Sequence, residues 1–390
     1  MERTLKMNIK NAIEHSGFPL EHYIYTILRK HEWSVITNRY YIDDIKGIER
    51  EIDIIAYKIH YDEVENIQYV TSLIISCKRS ENKHWCFLTR DINDKDCNFD
   101  WTPLHFCTTD KRLEYMTTNH REIVIDSYKS NDKTRGIYDF SDNVFAYEQL
   151  RTPANNSEKE KKGDLVICGN DDIYNSITTT IKAVSYEKQS RLDKYRKHKC
   201  KRYYTFHILS IFDGSMIKDY IDSHGEHNID NAYIVKYLNR HIVNNVDEHY
   251  IVNFISKSHF EEALQLFNNI HDENKLVLPS LLTLFYDEIF SDGKKVKMEW
   301  DNFSTWIVST IKSILIDNNY IKSTEKVTLS YIYDKRESVL EIGVDLSFIL
   351  PKEAVNYLNN NEQLMKYTKK KLEEIYRYKG HFVFTDGLPF

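Results

Sequence analysis

The chain has 390 residues, of which 41% are hydrophobic and 29% charged, with a formal net charge of −6. That length suits one large domain or two to three ordinary ones, and the balance supports a real core while excluding a polycation. Glycine (11) and proline (6) are sparse, no run approaches the roughly eighteen apolar residues of a membrane span, and the N-terminus lacks the apolar stretch of a signal peptide. A cytoplasmic protein with no membrane partner is therefore expected.

Ser16-Gly17-Phe18-Pro19 punctuates the start of a helix, with Pro19 suited to its first turn. Leu20, Tyr23, Ile24, Ile27 and Leu28 then recur on one helical face, with Glu21 beside it. Three strand-like runs follow at Ser34–Tyr41, Glu51–Tyr57 and Val70–Arg79, and Trp85–Leu88 reads as a further strand or a helix start. The region 90–200 is irregular and reads as an insertion, with loops such as Thr152–Lys162 and a polar, solvent-facing helix from Asp171 towards Lys199. Strand character returns at Tyr203–Phe212, closed by the turn pair Asp213-Gly214, and again at Tyr250–Ile255 before a helix carrying Phe260, Leu264 and Phe267. Pro279 is expected to break that helix. Beyond it come helices at 280–290 and 299–317, a hairpin of 326–334 and 338–349, a long helix from Pro351 to Tyr378 and a last strand at His381–Thr385. The expected division is 1–275, with the insertion at 90–200, and 276–390 as an α+β region.

Six cysteines form no CxxC pair, so reduced thiols are expected. His84, Cys86, Cys97, His105 and Cys107 form a denser patch, but their spacing matches no closed zinc module and reads as packed strand residues. With a negative net charge, any nucleic-acid surface must be local. The candidate is Lys188, Arg191, Lys194, Arg196, Lys197, Lys199, Lys201 and Arg202, against the single acid Asp193. A weaker cluster is Lys366, Lys369, Lys370, Lys371, Arg377 and Lys379. Trp85, Tyr203 and Tyr204 are candidates for base stacking, with core packing as the alternative. There is no GxxxxGK[ST], GxGxxG, HExxH or GxSxG motif.

Side chains alternate along a strand, so Glu51 and Asp53 share a face, as do Ser76 and Lys78. Pairing the two runs through the polar 58–69 connection brings these faces together. Phosphodiester hydrolysis needs a hard cation on carboxylate oxygens, an oriented water and positive charge near the developing negative charge. Asp53 is the expected main ligand, Lys78 the charge-offsetting ammonium, and Glu21 an added acid.

The residues Gly17-Phe18-Pro19-Leu20-Glu21, Arg50-Glu51-Ile52-Asp53-Ile54 and Ile74-Ile75-Ser76-Cys77-Lys78, followed by Lys83-His84-Trp85-Cys86-Phe87, resemble the PD-(D/E)xK, or restriction-endonuclease-like, nuclease superfamily. Their order is similar to a bacterial subgroup with a helix-borne Glu, then EIDI, then IECK and a nearby Trp. Leu209–Gly214 and Tyr250–Ile255 resemble its downstream half more faintly. The resemblance covers residues 16–88 well, 200–270 weakly and nothing beyond. It implies an α/β fold with a mixed four- to six-stranded sheet flanked by helices, Mg²⁺ (or Mn²⁺) as cofactor, and catalytic residues Asp53, Lys78, Glu21 and Glu51.

Ser76 departs from the pattern, because the subgroup carries an acid there. Two repairs are open. Glu51 swings into the metal shell beside Asp53, or a later acid, Asp91 or Asp94, moves in, as in type II restriction enzymes with an S-x-K motif. The expected function is a Mg²⁺-dependent nuclease acting on DNA, in bacterial defence or DNA processing, working as a homodimer or with a partner protein. The alternative is a degenerate nuclease fold that binds nucleic acid or scaffolds a larger complex.

Overall fold

The computed structural model describes all residues except Met1, His15, 44–46, Asp94, 96–98, 153–164, Asn244, Glu288 and 388–390. Asp94, Cys97 and most of the expected 152–162 loop therefore lie outside the described residues. The chain divides into two units, Met1–Leu278 and Pro279–Phe390.

In the first unit, α1 (Glu2–Glu14) and α2 (Phe18–Lys30) precede β1 (Ser34–Ile42), β2 (Glu49–Asp62) and β3 (Ile67–Arg90). Pro19 sits in the first turn of α2, and Leu20, Ile24, Ile27 and Leu28 form its buried face. Next come β4 (Phe106–Thr108), α3 (Lys111–Asn119), α4 (Arg121–Ser130), β5 (Asn143–Arg151), β6 (Val166–Ile167) and α5 (Asp171–Tyr195). β7 (Lys201–Ile221), β8 (His227–Asn231), β9 (Ile234–Val243), β10 (Val246–Ser256) and α6 (Phe260–Tyr286) complete the order, and the unit boundary falls within α6.

The sheet is mixed and has ten strands, more than the four to six expected, with a central order β1-β2-β3-β7-β10-β9. β3 and β7 are its parallel spine, and Tyr69–Cys77 of β3 is buried without interruption because both faces are covered there. The four extra strands come largely from the stretch expected to be an insertion. β4 pairs with β7, β5 pairs with β3 and β6, and β8 pairs with β7. Trp85–Leu88 is no separate element but the far half of β3, which runs unbroken for 24 residues. Asp213-Gly214 likewise makes no turn, because β7 continues through it to Ile221. A Cβ at Gly214 would meet the Phe212 ring and lie 2.7 Å from the Ser80 carbonyl oxygen, so glycine here permits close strand approach.

α5 covers one face of the sheet. Ile173, Ile177, Ile181 and Val184 pack with Ile52, Ile55, Val70, Ile74 and Ile208, so this helix is amphipathic rather than solvent-facing throughout. Thr71, next to Val70, points the other way and its hydroxyl bonds His271 Nδ1 of α6 at 3.0 Å, which puts α6 on the opposite face. Trp33 Nε1, just after α2, donates to Asn268 of α6 at 2.9 Å.

In the second unit α6 passes through Pro279 without breaking and ends at Tyr286. α7 (Gly293–Asp317) follows, then β11 (Thr328–Asp334) and β12 (Val339–Asp345), an antiparallel hairpin. The expected single helix after Pro351 is two, α8 (Lys352–Asn360) and α9 (Glu362–Tyr376), divided at Asn361, whose side chain caps α9 by accepting from Leu364 N–H. β13 (His381–Asp386) pairs in parallel with β12. The second basic cluster lies on and after α9, where Lys371 pairs with Glu374 at 2.7 Å and stands over Trp306, and Arg377 stands over the Tyr286 ring.

Candidate functional site

The β2–β3 ladder ends at Ile54 opposite Ile75. One step on, the Asp53 side chain takes over from the backbone. Its Oδ2 accepts from Cys77 N–H at 2.6 Å, and the Ser76 hydroxyl donates to the same carboxylate. Ser76 is buried and pairs across the ladder with Ser210, whose hydroxyl is 2.6 Å from that of Ser176 on α5. Where an acid was expected, the chain thus has a hydroxyl that orients the acid it does have.

Lys78 follows at the point where strand partners change. β3 pairs with β7 in register to Arg79 opposite Asp213, then shifts and resumes at His84 opposite Ser215, so 80–83 form a bulged excursion. On one side of this shift β3 and β7 are flanked by β2 and β10, and on the other by β5 and β8. Charged groups gather there because the ladder no longer occupies the backbone on both edges. Arg79 lies 2.9 Å from Glu81 and 3.6 Å from Asp213, and Lys257 donates to Asp213 at 2.9 Å. Lys83 Nζ reaches Asp172, in the first turn of α5, at 2.6 Å, and Gln149 Nε2 reaches the same carboxylate at 3.0 Å.

The electrostatics tie four of the expected residues together. Burial pushes the Asp53 carboxyl above its ordinary range; Lys78 and the two hydrogen bonds oppose the rise, and Glu51 adds to it. Glu21 is raised as well, by burial first, then by Asp53 and Glu51, with Lys78 opposing. Asp172 behaves oppositely. Burial alone would raise it, but Lys83 and Gln149, with Lys78 behind them, hold it below the usual range. Glu51 itself is exposed and accepts from the Asn38 amide, while Arg50 turns away to Asp43 at 2.9 Å.

Asp91 is not brought to this site. It lies just past the end of β3 and accepts from the Tyr220 hydroxyl at 2.6 Å, and Phe212 to Tyr220 is roughly 25 Å of strand. Among the described residues no three His, Cys, Asp or Glu side chains close on one point as a metal cage. Cys86 and Cys107 are buried strand residues; burial, with Asp219 and Glu148, raises the first thiol, and burial pushes the second up to about 12.

The basic cluster splits in two. Lys188 lies 3.6 Å from Glu248, Arg191 pairs with Glu187 at 2.6 Å, and Arg202 stacks on the Tyr195 ring at 3.6 Å. Lys201 is half-buried at the start of β7, and Lys194, Arg196, Lys197 and Lys199 are exposed. They lie in the C-terminal part of α5 and beyond it, with Lys188 already about 24 Å along the helix from Asp172. Trp85 and Tyr203 are core: Trp85 is fully buried and stacked on Phe212 at 4.0 Å.

Comparison with known protein families, curated proteins and solved structures gives no match. The site therefore rests on its own geometry. Asp172 and Lys83 are the members that sequence reasoning missed. The Asp171-Asp172 pair after Gly169-Asn170 looks like the acid of any helix start, favoured by the helix dipole.

Proposed function

We propose that this chain is a Mg²⁺-dependent nuclease that hydrolyses phosphodiester bonds of DNA. The observation that carries the reading is Asp53, held by Cys77 N–H and the Ser76 hydroxyl, beside Lys78 and Glu21 where the strand partners change. Glu21, whose proton affinity Asp53 helps to raise, and Asp53 itself suit a hard divalent cation, which takes one or two carboxylates and completes its shell with water and substrate phosphate. Asp53 and Glu21 would hold that ion, and bound there it would polarise the phosphoryl group and acidify a water. The chain's own residues do the rest. Ser76 and Cys77 N–H fix the Asp53 carboxylate, and the Lys78 ammonium offsets charge on the phosphate as the bond breaks, while Lys83 is neutralised by its bridge to Asp172. No helix among the described residues is long and apolar enough to cross a membrane.

The test is cleavage of plasmid, single-stranded DNA and RNA in Mg²⁺ or Mn²⁺, comparing wild type with Asp53→Asn and Lys78→Ala. Loss of at least a hundredfold in both variants is expected, on DNA before RNA. Identical inactivity of wild type and Asp53→Asn on every substrate overturns the reading.

One observation favours a second reading. Asp53 already has two protein hydrogen bonds, and no third acid among the described residues closes a cage around it. A degenerate fold of this kind binds nucleic acid with no dependence on divalent metal, and salt-sensitive binding unchanged by chelation, with no cleavage, is its signature.

A further inference from the structure

The C-terminal half of α5 does not close fully onto the sheet. Between this helix and β1, β2, β3 and β7 lies a cavity of about 120 Å³. Its floor is apolar, built from Ile36, Ile55, Val70 and Phe206, and its wall carries Arg191, Arg202, Tyr195 and Tyr204. That volume admits a single small ring system, well below the roughly 300–1,000 Å³ of sites for drug-sized ligands.

The wall is positively charged beyond what the fold requires. Glu187, buried at 2% exposure, is bridged by Arg39 at 2.9 Å and Arg191 at 2.6 Å, so two guanidiniums already oppose its single charge. Arg202 brings a third. Its guanidinium lies 3.6 Å over the Tyr195 ring and donates through Nη1 to the Tyr204 hydroxyl at 3.3 Å, while its buried Nε has no partner. An unpartnered buried donor is costly. Burial would raise the Tyr195 phenol, yet hydrogen bonds from Lys194 and Arg202 hold it below its ordinary value. An inorganic anion would use the guanidiniums and leave the apolar floor without purpose. A purely apolar ligand would leave Arg202 Nε unpaired.

We propose that this cavity binds a nucleotide, its base against the apolar floor and the Tyr195 and Tyr204 rings, its phosphate on Arg202 and Arg191. Aromatic rings and guanidinium planes are the surfaces on which unstacked bases sit. The ligand chemistry is a heterocyclic base with an attached phosphate, supplied by a free mononucleotide or by the end of a strand. Exposed Lys194, Arg196, Lys197 and Lys199 flank or follow the cavity-lining Tyr195 in the chain, and a strand's further phosphates would run along them. The inference goes beyond the hydrolytic reading and does not depend on it, since Arg191, Arg202, Tyr195 and Tyr204 take no part in the hydrolytic site.

Isothermal titration of the full chain with adenosine and uridine 5′-monophosphates, a 5′-phosphorylated trinucleotide, adenosine and inorganic phosphate tests it. A mononucleotide or the trinucleotide is expected to bind at least tenfold more tightly than phosphate or adenosine alone. If only the trinucleotide binds, the strand end is the source. Arg202→Gln should weaken binding at least tenfold, and Ser72→Leu should fill the cavity and abolish it. Ser72→Leu adds apolar volume without removing charge, and a melting temperature no lower than wild type separates blocking from unfolding. Absence of nucleotide binding in wild type overturns the proposal. So does phosphate binding as tight as nucleotide binding, or equal affinity in wild type and both cavity variants.

Discussion

Replacing Lys194, Arg196, Lys197 and Lys199 together by Gln tests where nucleic acid meets this chain. The sequence offers eight basic residues between 188 and 202, but only these four are exposed, while Lys188, Arg191 and Arg202 face groups within the fold. If each exposed charge neutralises one phosphate, four contacts contribute a slope of roughly −3.6 to log K against log salt on duplex, and roughly −2.8 on a single strand. Between 50 and 200 mM salt, that share of duplex affinity falls about 150-fold. The assay is fluorescence anisotropy of a labelled 30-mer across that salt range. The quadruple variant should lose about 3.6 from the duplex slope and keep its melting temperature. Lys188→Gln/Arg191→Gln should instead lower the melting temperature, because it strips partners from Glu248 and the buried Glu187. A slope change below about 1 in the quadruple variant, or an equal slope change in the inner pair with stability intact, refutes the assignment.

Two further expectations concern the site's frame and its acid. Trp85→Ala should destabilise the chain by about 3–5 kcal/mol in urea denaturation, since Trp85 is wholly buried against Phe212 and Phe254; a loss under about 1 kcal/mol would mean the ring is not core. Asp53 ionises less readily folded than unfolded, so its charge destabilises above the ordinary carboxyl value of 3.8, and the penalty disappears as pH falls through the folded value. Asp53→Asn should therefore melt above wild type at neutral pH, with the gap closing on acidification. Thermal melts that show the reverse order at neutral pH, or a gap independent of pH, contradict this.

What was legible in the sequence was local. Strand-like runs marked β1, β2 and the first half of β3, and Pro19 with its apolar face marked α2, because these signals sit within a few residues. Asp53, Lys78, Glu51 and Glu21 could be grouped because two short strand motifs and a helix start carry them. The illegible parts depend on partners distant in sequence. That β3 runs on past Ser80 depends on β7 and β5, which lie far along the chain. Gly214 reads as a turn residue until the Ser80 carbonyl is beside it. α5 looked solvated because its buried face includes Ser176, Thr180 and Glu187, polar residues whose partners come from elsewhere in the fold. Asp172 was hidden for the same reason, since nothing near it in sequence announces Lys83 or Gln149.

The hydroxyl at position 76 limits which side chains the strand accepts there. It sits at 1% exposure, beside Asp53 and across the ladder from Ser210, which in turn bonds Ser176. A glutamate at this position would bury a second carboxylate against the first and force a longer side chain into space now shaped for three small ones. The strand therefore admits no second acid beside Asp53 without repacking, and the neighbouring acids Glu21 and Asp172 are borne by helices instead.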